Sequence, residues 1–243
     1  MFLDSKDEYS SMLSEYYKNY ASKCNKCNGT GIIRNNSDSC LCDCQKAAIH
    51  NVSLIKNGFP KKIIDTINWE YVLNRYGNDA SKIKKYSADV DKYGNIVLMG
   101  KNNVEINELE AILAISVKDR STITITISSL LQLLSDFNTK NNTINKLTDS
   151  KSSTMLIINN FNGEIEQRYK SLFVIIEEIL YKRICNGQIT ILSTSLTKDR
   201  IVNRYGDSFA ELLKGYFSPV TMKHVIKEMK NELFESEDGE LYD

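Results

Sequence analysis

The chain has 243 residues, is 42% hydrophobic, and its 31 lysines and arginines balance its 31 aspartates and glutamates. That suffices to bury one sizeable core with a small satellite module. No apolar run approaches the roughly 18 residues of a membrane span, and the polar start MFLDSKDEYSS lacks the apolar stretch of a secretory leader, so a cytoplasmic protein without a membrane partner is expected. Residues 232–243, ELFESEDGELYD, hold acids and no lysine or arginine, leaving the body before them modestly basic. This permits contact with nucleic acid without indicating it.

From Tyr9 to Tyr20, Met12, Leu13, Tyr16, Tyr17 and Tyr20 recur at helical spacing and predict a helix. Five of the six cysteines follow: Cys24 and Cys27 in CNKC, then Cys40, Cys42 and Cys44 in CLCDC. In a reducing compartment such a cluster points to metal rather than disulfides. Two thiolates separated by two residues on a tight turn, completed by a second close pair, form a tetrahedral zinc site with no open position, so the metal is expected to be structural. Gly29 and Gly31 free the turn after the first pair. Five thiols compete for four places: Cys24, Cys27, Cys42 and Cys44 are favoured, and a Cys40/Cys42 pairing is the alternative. Cys185 stands alone, is expected to be small and at least half-buried, and has no assigned role.

Gln45 to Lys56 predicts a second helix, ended by Asn-Gly-Phe-Pro at 57–60. Ile63 to Tyr86 is expected to be helical in pieces, with Trp69 in a docking position against the next domain. Then the pattern changes. NIVLM (95–99) predicts a buried strand, Ile106 to Val117 a helix, TITITI (122–127) a second strand, and Ser129 to Phe137 another helix. Asn138 to Ser153 is polar and expected to be rich in loops. Met155 to Ile158 predicts a third strand, Tyr169 to Ile184 a long helix, and Ile189 to Ser193 a fourth strand. Strands alternating with helices give an α/β fold with a parallel sheet covered on both faces. The expected domains are a zinc module at 1–58, the sheet domain at 59–231, and an acidic tail at 232–243.

Taken in order, several features resemble the DnaC/DnaI-like helicase loaders, AAA+ proteins of replication related to the IstB transposition ATPases. They are the CxxCxGTGxI module followed by CxC, the Gly-Phe-Pro-Lys at 58–61, the strand-turn-helix at 96–113, MLIINN at 155–160, ITILSTS at 189–195, and Arg-Ile-Val-Asn-Arg at 200–204. The resemblance implies an AAA+-like domain behind a helicase-binding zinc module. It also implies a hexameric replicative helicase as partner, with single-stranded DNA and either an ATP-competent loader subunit or a homo-oligomer as further partners. DNA contacts would come from the basic face and residues 128–140.

The departures concern ATP. A phosphate loop of the form G-x-x-x-x-G-K-[ST] wraps phosphate with backbone N–H groups, neutralises it with lysine and holds magnesium with a hydroxyl. Counted from Gly100, the second glycine falls on Glu105, the lysine on Ile106 and the hydroxyl on Asn107; Asn103 lies within the turn. An ionised Glu105 would repel phosphate by about 4 kcal/mol per charge at about 4 Å and intermediate dielectric. Asn102 and Glu105 instead have capping-box spacing, so a resident carboxylate could satisfy the helix N-terminus. Lys101 precedes the turn and is a poor substitute for the lost lysine. Where the family ends its third strand in acids, Asn159 and Asn160 are neutral, with Glu164 four residues on, and the sensor position reads Ser195. Arg200 and Arg204 lie where the family places its arginine finger. The expectation is a pseudo-ATPase with structural zinc, for which ATP and magnesium are unlikely cofactors. The alternatives are a loader-mimicking inhibitor, a zinc-containing regulatory binding protein, and an unconventional ATPase.

Overall fold

The computed structural model describes residues 6–35, 38–100, 103–118, 120–149, 154–161 and 167–222. The chain starts with α1 (Lys6–Ala21), a hairpin of β1 (Ile32–Asn35) and β2 (Asp38–Leu41), and α2 (Asp43–Lys56). The hairpin is antiparallel, with Ile32 opposite Leu41 and Ile33 opposite Cys40. Tyr16 of α1 is buried against Ala48 and Val52 of α2, flanked by Met12, Leu13 and Ile55, which is the helical spacing read from the sequence.

After α3 (Lys61–Thr66), α4 (Trp69–Ala88) and the short α5 (Val90–Tyr93), the chain builds β3 (Ile96–Met99), α6 (Asn103–Ser116), β4 (Thr122–Thr126), α7 (Ile127–Ser135), α8 (Phe137–Thr148) and β5 (Met155–Asn159). A 3-10 turn (Gln167–Leu172) leads into α9 (Phe173–Cys185), β6 (Thr190–Thr194), α10 (Lys198–Tyr205), α11 (Asp207–Tyr216) and β7 (Ser218–Thr221). The sheet order is β4-β5-β6-β3-β7, and each neighbouring pair is parallel. Side chains alternate between its faces. Ile96, Leu98, Ile157 and Ile191 join the core under α4 and α6, whereas Val97, Leu156, Ile158 and Leu192 join the core under α7, α9, α10 and α11. Both faces are covered, so the inner strands read as near-continuous apolar or β-branched runs. On the edge, β7 has exposed Ser218, Pro219 and Thr221, a place where proline's missing N–H is tolerated.

Packing continues across residue 58. Leu54 of α2 belongs to the same core as Phe59, Ile64 and the α4–α6 residues. His50 Nε2 lies 2.9 Å from the Ala114 carbonyl of α6, and within the sheet domain Trp69 of α4 packs half-buried against the same core and donates from Nε1 to Ser116 Oγ at 2.9 Å.

Three expectations are corrected. The stretch from Asn138, read as loop, is largely α8: its asparagines and threonines are poor helix formers, but Ile144 and Leu147 anchor one face in the core, and Asp136 accepts from the Asn138 N–H as N-cap. Ile127 opens α7 rather than ending a strand, because Thr126 caps that helix by accepting from Ser129 N. Cys185, at the end of α9, is exposed rather than buried.

Arg183 is fully buried in α9 and was not singled out by its sequence context. It donates to the carbonyls of Leu147, Thr154 and Ile189 and to Thr190 Oγ1, at 2.6–2.9 Å. One guanidinium thus fastens α8, the approach to β5 and the start of β6, although burial draws its pKa down to about 10.

Candidate metal centre and phosphate-loop site

The sulfurs of Cys24, Cys27, Cys42 and Cys44 all lie within 4.8 Å of one another. The Cys24–Cys42 separation is 3.6 Å and the Cys27–Cys44 separation 3.5 Å. Four sulfurs at the usual Zn–S distance of about 2.3 Å stand about 3.8 Å apart in a tetrahedron, so the set fits zinc. Cys40 is exposed on β2 and is not in the group. The knuckle depends on its backbone: Asn28, Gly29 and Gly31 have φ of +47°, +82° and +69°, and the Gly31 N–H points at Cys27 Sγ, 3.2 Å away. A Cβ on Gly31 would come within 2.5 Å of the Tyr17 ring and 2.9 Å of Gln45.

The phosphate-loop residues gather at the C-terminal ends of β3, β5 and β6, where this fold class places ligands. Gly100 N donates to the Thr194 carbonyl at 3.1 Å, and Met222 N to the Met99 carbonyl at 2.7 Å. A Cβ on Gly100 would stand 3.1 Å from Met222 Cβ and 3.4 Å from Ile106 Cδ1. Ile106, at the lysine position, and Met222 are both buried, so apolar side chains of the protein flank this glycine. Asn103 and Asn107 are exposed on α6. Lys101, Asn102 and Glu164 lie outside the described residues, as does the capping box that needs Asn102.

Glu105 is placed differently from a carboxylate facing phosphate. It is only 2% exposed; burial, and after it Asp79 with Lys82 in opposition, pushes its pKa up to about 7. Lys82 Nζ bridges Asp79 Oδ1 at 2.6 Å and the Thr221 carbonyl at 2.9 Å, joining α4 to the edge strand.

Asn159 is half-buried at the tip of β5 and donates to Thr124 Oγ1 at 3.4 Å. Exposed Asn160 follows in a left-handed conformation with φ of +63°. Glu110, missed by the sequence reading, lies beneath them: fully buried in α6, its carboxyl is hydrogen-bonded with Ser193 and Asn159. The available signal was a lone acid in the apolar run LEAILAI. An aspartate at 159 would set a second carboxylate against this one, which asparagine avoids.

Ser195 is exposed just after β6, and Arg200 is exposed on α10 while Arg204 is half-buried there. Tyr205, next to Arg204, donates to the Phe161 carbonyl at 2.9 Å, and its ring clusters with those of Phe161, Phe173 and Phe209. Helix α10 is therefore latched to the segment after Asn159 and Asn160.

No family model and no curated protein matches the sequence. Among solved structures the fold is similar to that of DnaI, with 14% identity, a TM-score of 0.54, and coverage of 70% of this chain and 94% of that one. A putative primosome component from Streptococcus pyogenes serotype M3 gives 12%, 0.51, 70% and 92% on the same measures. The replication initiator DnaA bound to AMPPCP and single-stranded DNA gives 15% and 0.51, covering 69% of this chain and 56% of that one. At these identities the likeness shows the fold alone: a five-stranded parallel sheet flanked by helices.

Proposed function

We propose that this protein is a helicase loader or loader-like adaptor that binds a hexameric replicative helicase through its zinc module and assists its placement on single-stranded DNA without hydrolysing ATP. The observation that carries the second half is the flanking of Gly100 by Ile106 and Met222. Phosphate binding needs N–H groups and a lysine at a polar helix start, and here the lysine position holds a buried isoleucine. The acids that would hold magnesium are replaced by Asn159 and Asn160. Support for the first half comes from the fold shared with DnaI and DnaA, and from a four-thiol module fused to the sheet domain through α2.

In this reading α7 and α8 supply the DNA contact: Phe137 is 89% exposed at the start of α8 and offers a face on which a base can stack. Arg200 and Arg204 would complete the ATP site of a competent neighbouring subunit. The test is reconstitution with the replicative helicase of the source cells, measuring complex formation, helicase transfer to single-stranded DNA, and ATP binding by calorimetry. Complex formation and transfer without ATP uptake is the expected result. A complex that blocks transfer would make the protein an inhibitor, and saturable ATP binding would overturn the pseudo-ATPase assignment.

A further inference from the structure

A cleft of about 510 Å³ opens between α1 and α3 and contains none of the residues of the metal centre or the phosphate-loop site. Glu15, Tyr16 and Tyr20 of α1 line it together with Lys61 and Asp65 of α3. Its aromatic wall is fixed in place. Tyr16 and Tyr20, one helical turn apart, stack with ring centroids 6.4 Å apart and planes 17° from parallel. The Tyr16 hydroxyl donates to Asp65 Oδ1, and the buried Asn51 donates from Nδ2 to the Tyr20 hydroxyl at 2.6 Å. Each phenol is thereby tethered, and Tyr20 is still 36% exposed.

The cleft already seats a cation. Lys61 Nζ lies over the Tyr16 ring, 5.2 Å from its centroid, with Asp65 Oδ2 at 2.8 Å and Glu15 Oε1 at 3.5 Å. An aromatic face flanked by two carboxylates attracts cations of any kind. An ammonium uses this seat incompletely: the Glu15 contact is at the limit of hydrogen-bonding length, and the Lys61 side chain is 41% exposed. A guanidinium suits it better, because its planar fork can reach both carboxylates while its face stacks on a tyrosine. Displacing Lys61 costs little, since exposed ion pairs contribute little net stability and a released lysine regains rotamer freedom. Exchange of one cation for another leaves the charge of the cleft unchanged. Lys23, which also lines the cleft, therefore faces the same charge before and after.

We infer that this cleft is an arginine-binding site in which Lys61 is a stand-in: the guanidinium of an arginine presented by a protein partner displaces the Lys61 ammonium and takes its seat against Asp65, Glu15 and the Tyr16 face. The site stands apart from the state of the nucleotide site and from the identity of the helicase.

The experiment titrates the full-length, zinc-loaded protein with acetyl-Gly-Arg-Gly-amide, and with its lysine and citrulline counterparts, and follows backbone amide and tyrosine ring signals by NMR. The expected result is saturable shifts centred on residues 15–23, 51 and 61–65, with arginine bound about tenfold more tightly than neutral citrulline and more tightly than lysine. Lys61→Ala is the decisive variant. Vacating the seat should tighten arginine binding about fivefold, whereas a lysine that only ties α3 to α1 would leave binding unchanged or weaken it. Glu15→Gln should weaken binding, with zinc content and amide dispersion kept in both variants. Absence of saturable shifts in the wild-type protein, shifts centred elsewhere, citrulline binding as well as arginine, or no gain in Lys61→Ala would each overturn the inference.

Discussion

The backbone N–H of Thr124 donates to the carbonyl of Asn57 at 3.1 Å, so the turn leaving α2 and the cysteine module is bonded to β4, one of the two edge strands of the sheet. The contact covers a strand edge that would otherwise be open to foreign chains, and it fixes α2 relative to the sheet.

Gly58 makes this approach possible. Its φ is +111°, and a Cβ there would stand 2.6 Å from the Thr124 carbonyl oxygen. Gly58→Ala is expected to cost at least about 2 kcal/mol, from the backbone strain alone, measured by urea denaturation. An unchanged midpoint would mean that the turn shifts without penalty.

Arg183 tests the inside of the sheet domain. Lysine keeps the charge but cannot reproduce a planar fork serving three carbonyls and a hydroxyl. Arg183→Lys should cost about 2–4 kcal/mol through unsatisfied buried acceptors, with the loss read as a lower thermal midpoint. Retention of wild-type stability would show that water replaces the missing donors.

Glu110 gives the stability a pH dependence. Burial raises its pKa from 4.5 to about 7 against the opposing hydrogen bonds of Ser193 and Asn159. Between those values the folded chain keeps a proton that the unfolded chain has released, so stability falls as pH rises from 4.5 to 7 and then levels off. The loss is up to about 3 kcal/mol. Glu105, also raised to about 7, acts in the same direction. In Glu110→Gln the slope across this window should shrink and stability at pH 8 should rise. Denaturation at pH 5 and pH 8 decides it; equal slopes in the two proteins would refute the assignment.

The four-thiol set predicts which cysteine is dispensable. Cys40→Ser should retain one equivalent of zinc per chain by colorimetric release, whereas Cys24→Ser or Cys42→Ser should lose it and disorder the hairpin, since structural zinc contributes roughly 10–16 kcal/mol in comparable peptides. Zinc loss on replacing Cys40 would instead place it among the ligands.

The sequence by itself determined the four inner and edge strands β3 to β6 and their parallel character, because strands buried on both faces are largely apolar and the helices between them carry a period of 3.6, whereas the hairpin strands β1 and β2 and the exposed, proline-containing β7 carry no such signal. It also pointed to a thiol cluster that fits zinc, since thiol spacing is a local property. It left five thiols for four places, and folding decided between them: the hairpin sets Cys40 outward while Cys42 and Cys44 turn toward Cys24 and Cys27. Tertiary structure likewise decided what flanks Gly100, for Met222 is over a hundred residues away in the chain and arrives only through the pairing of β7 with β3. The burial of Glu105, Glu110 and Arg183 was settled in the same way. Charge and polarity are visible in a sequence, but whether a charged group meets water or the interior depends on which elements close over it.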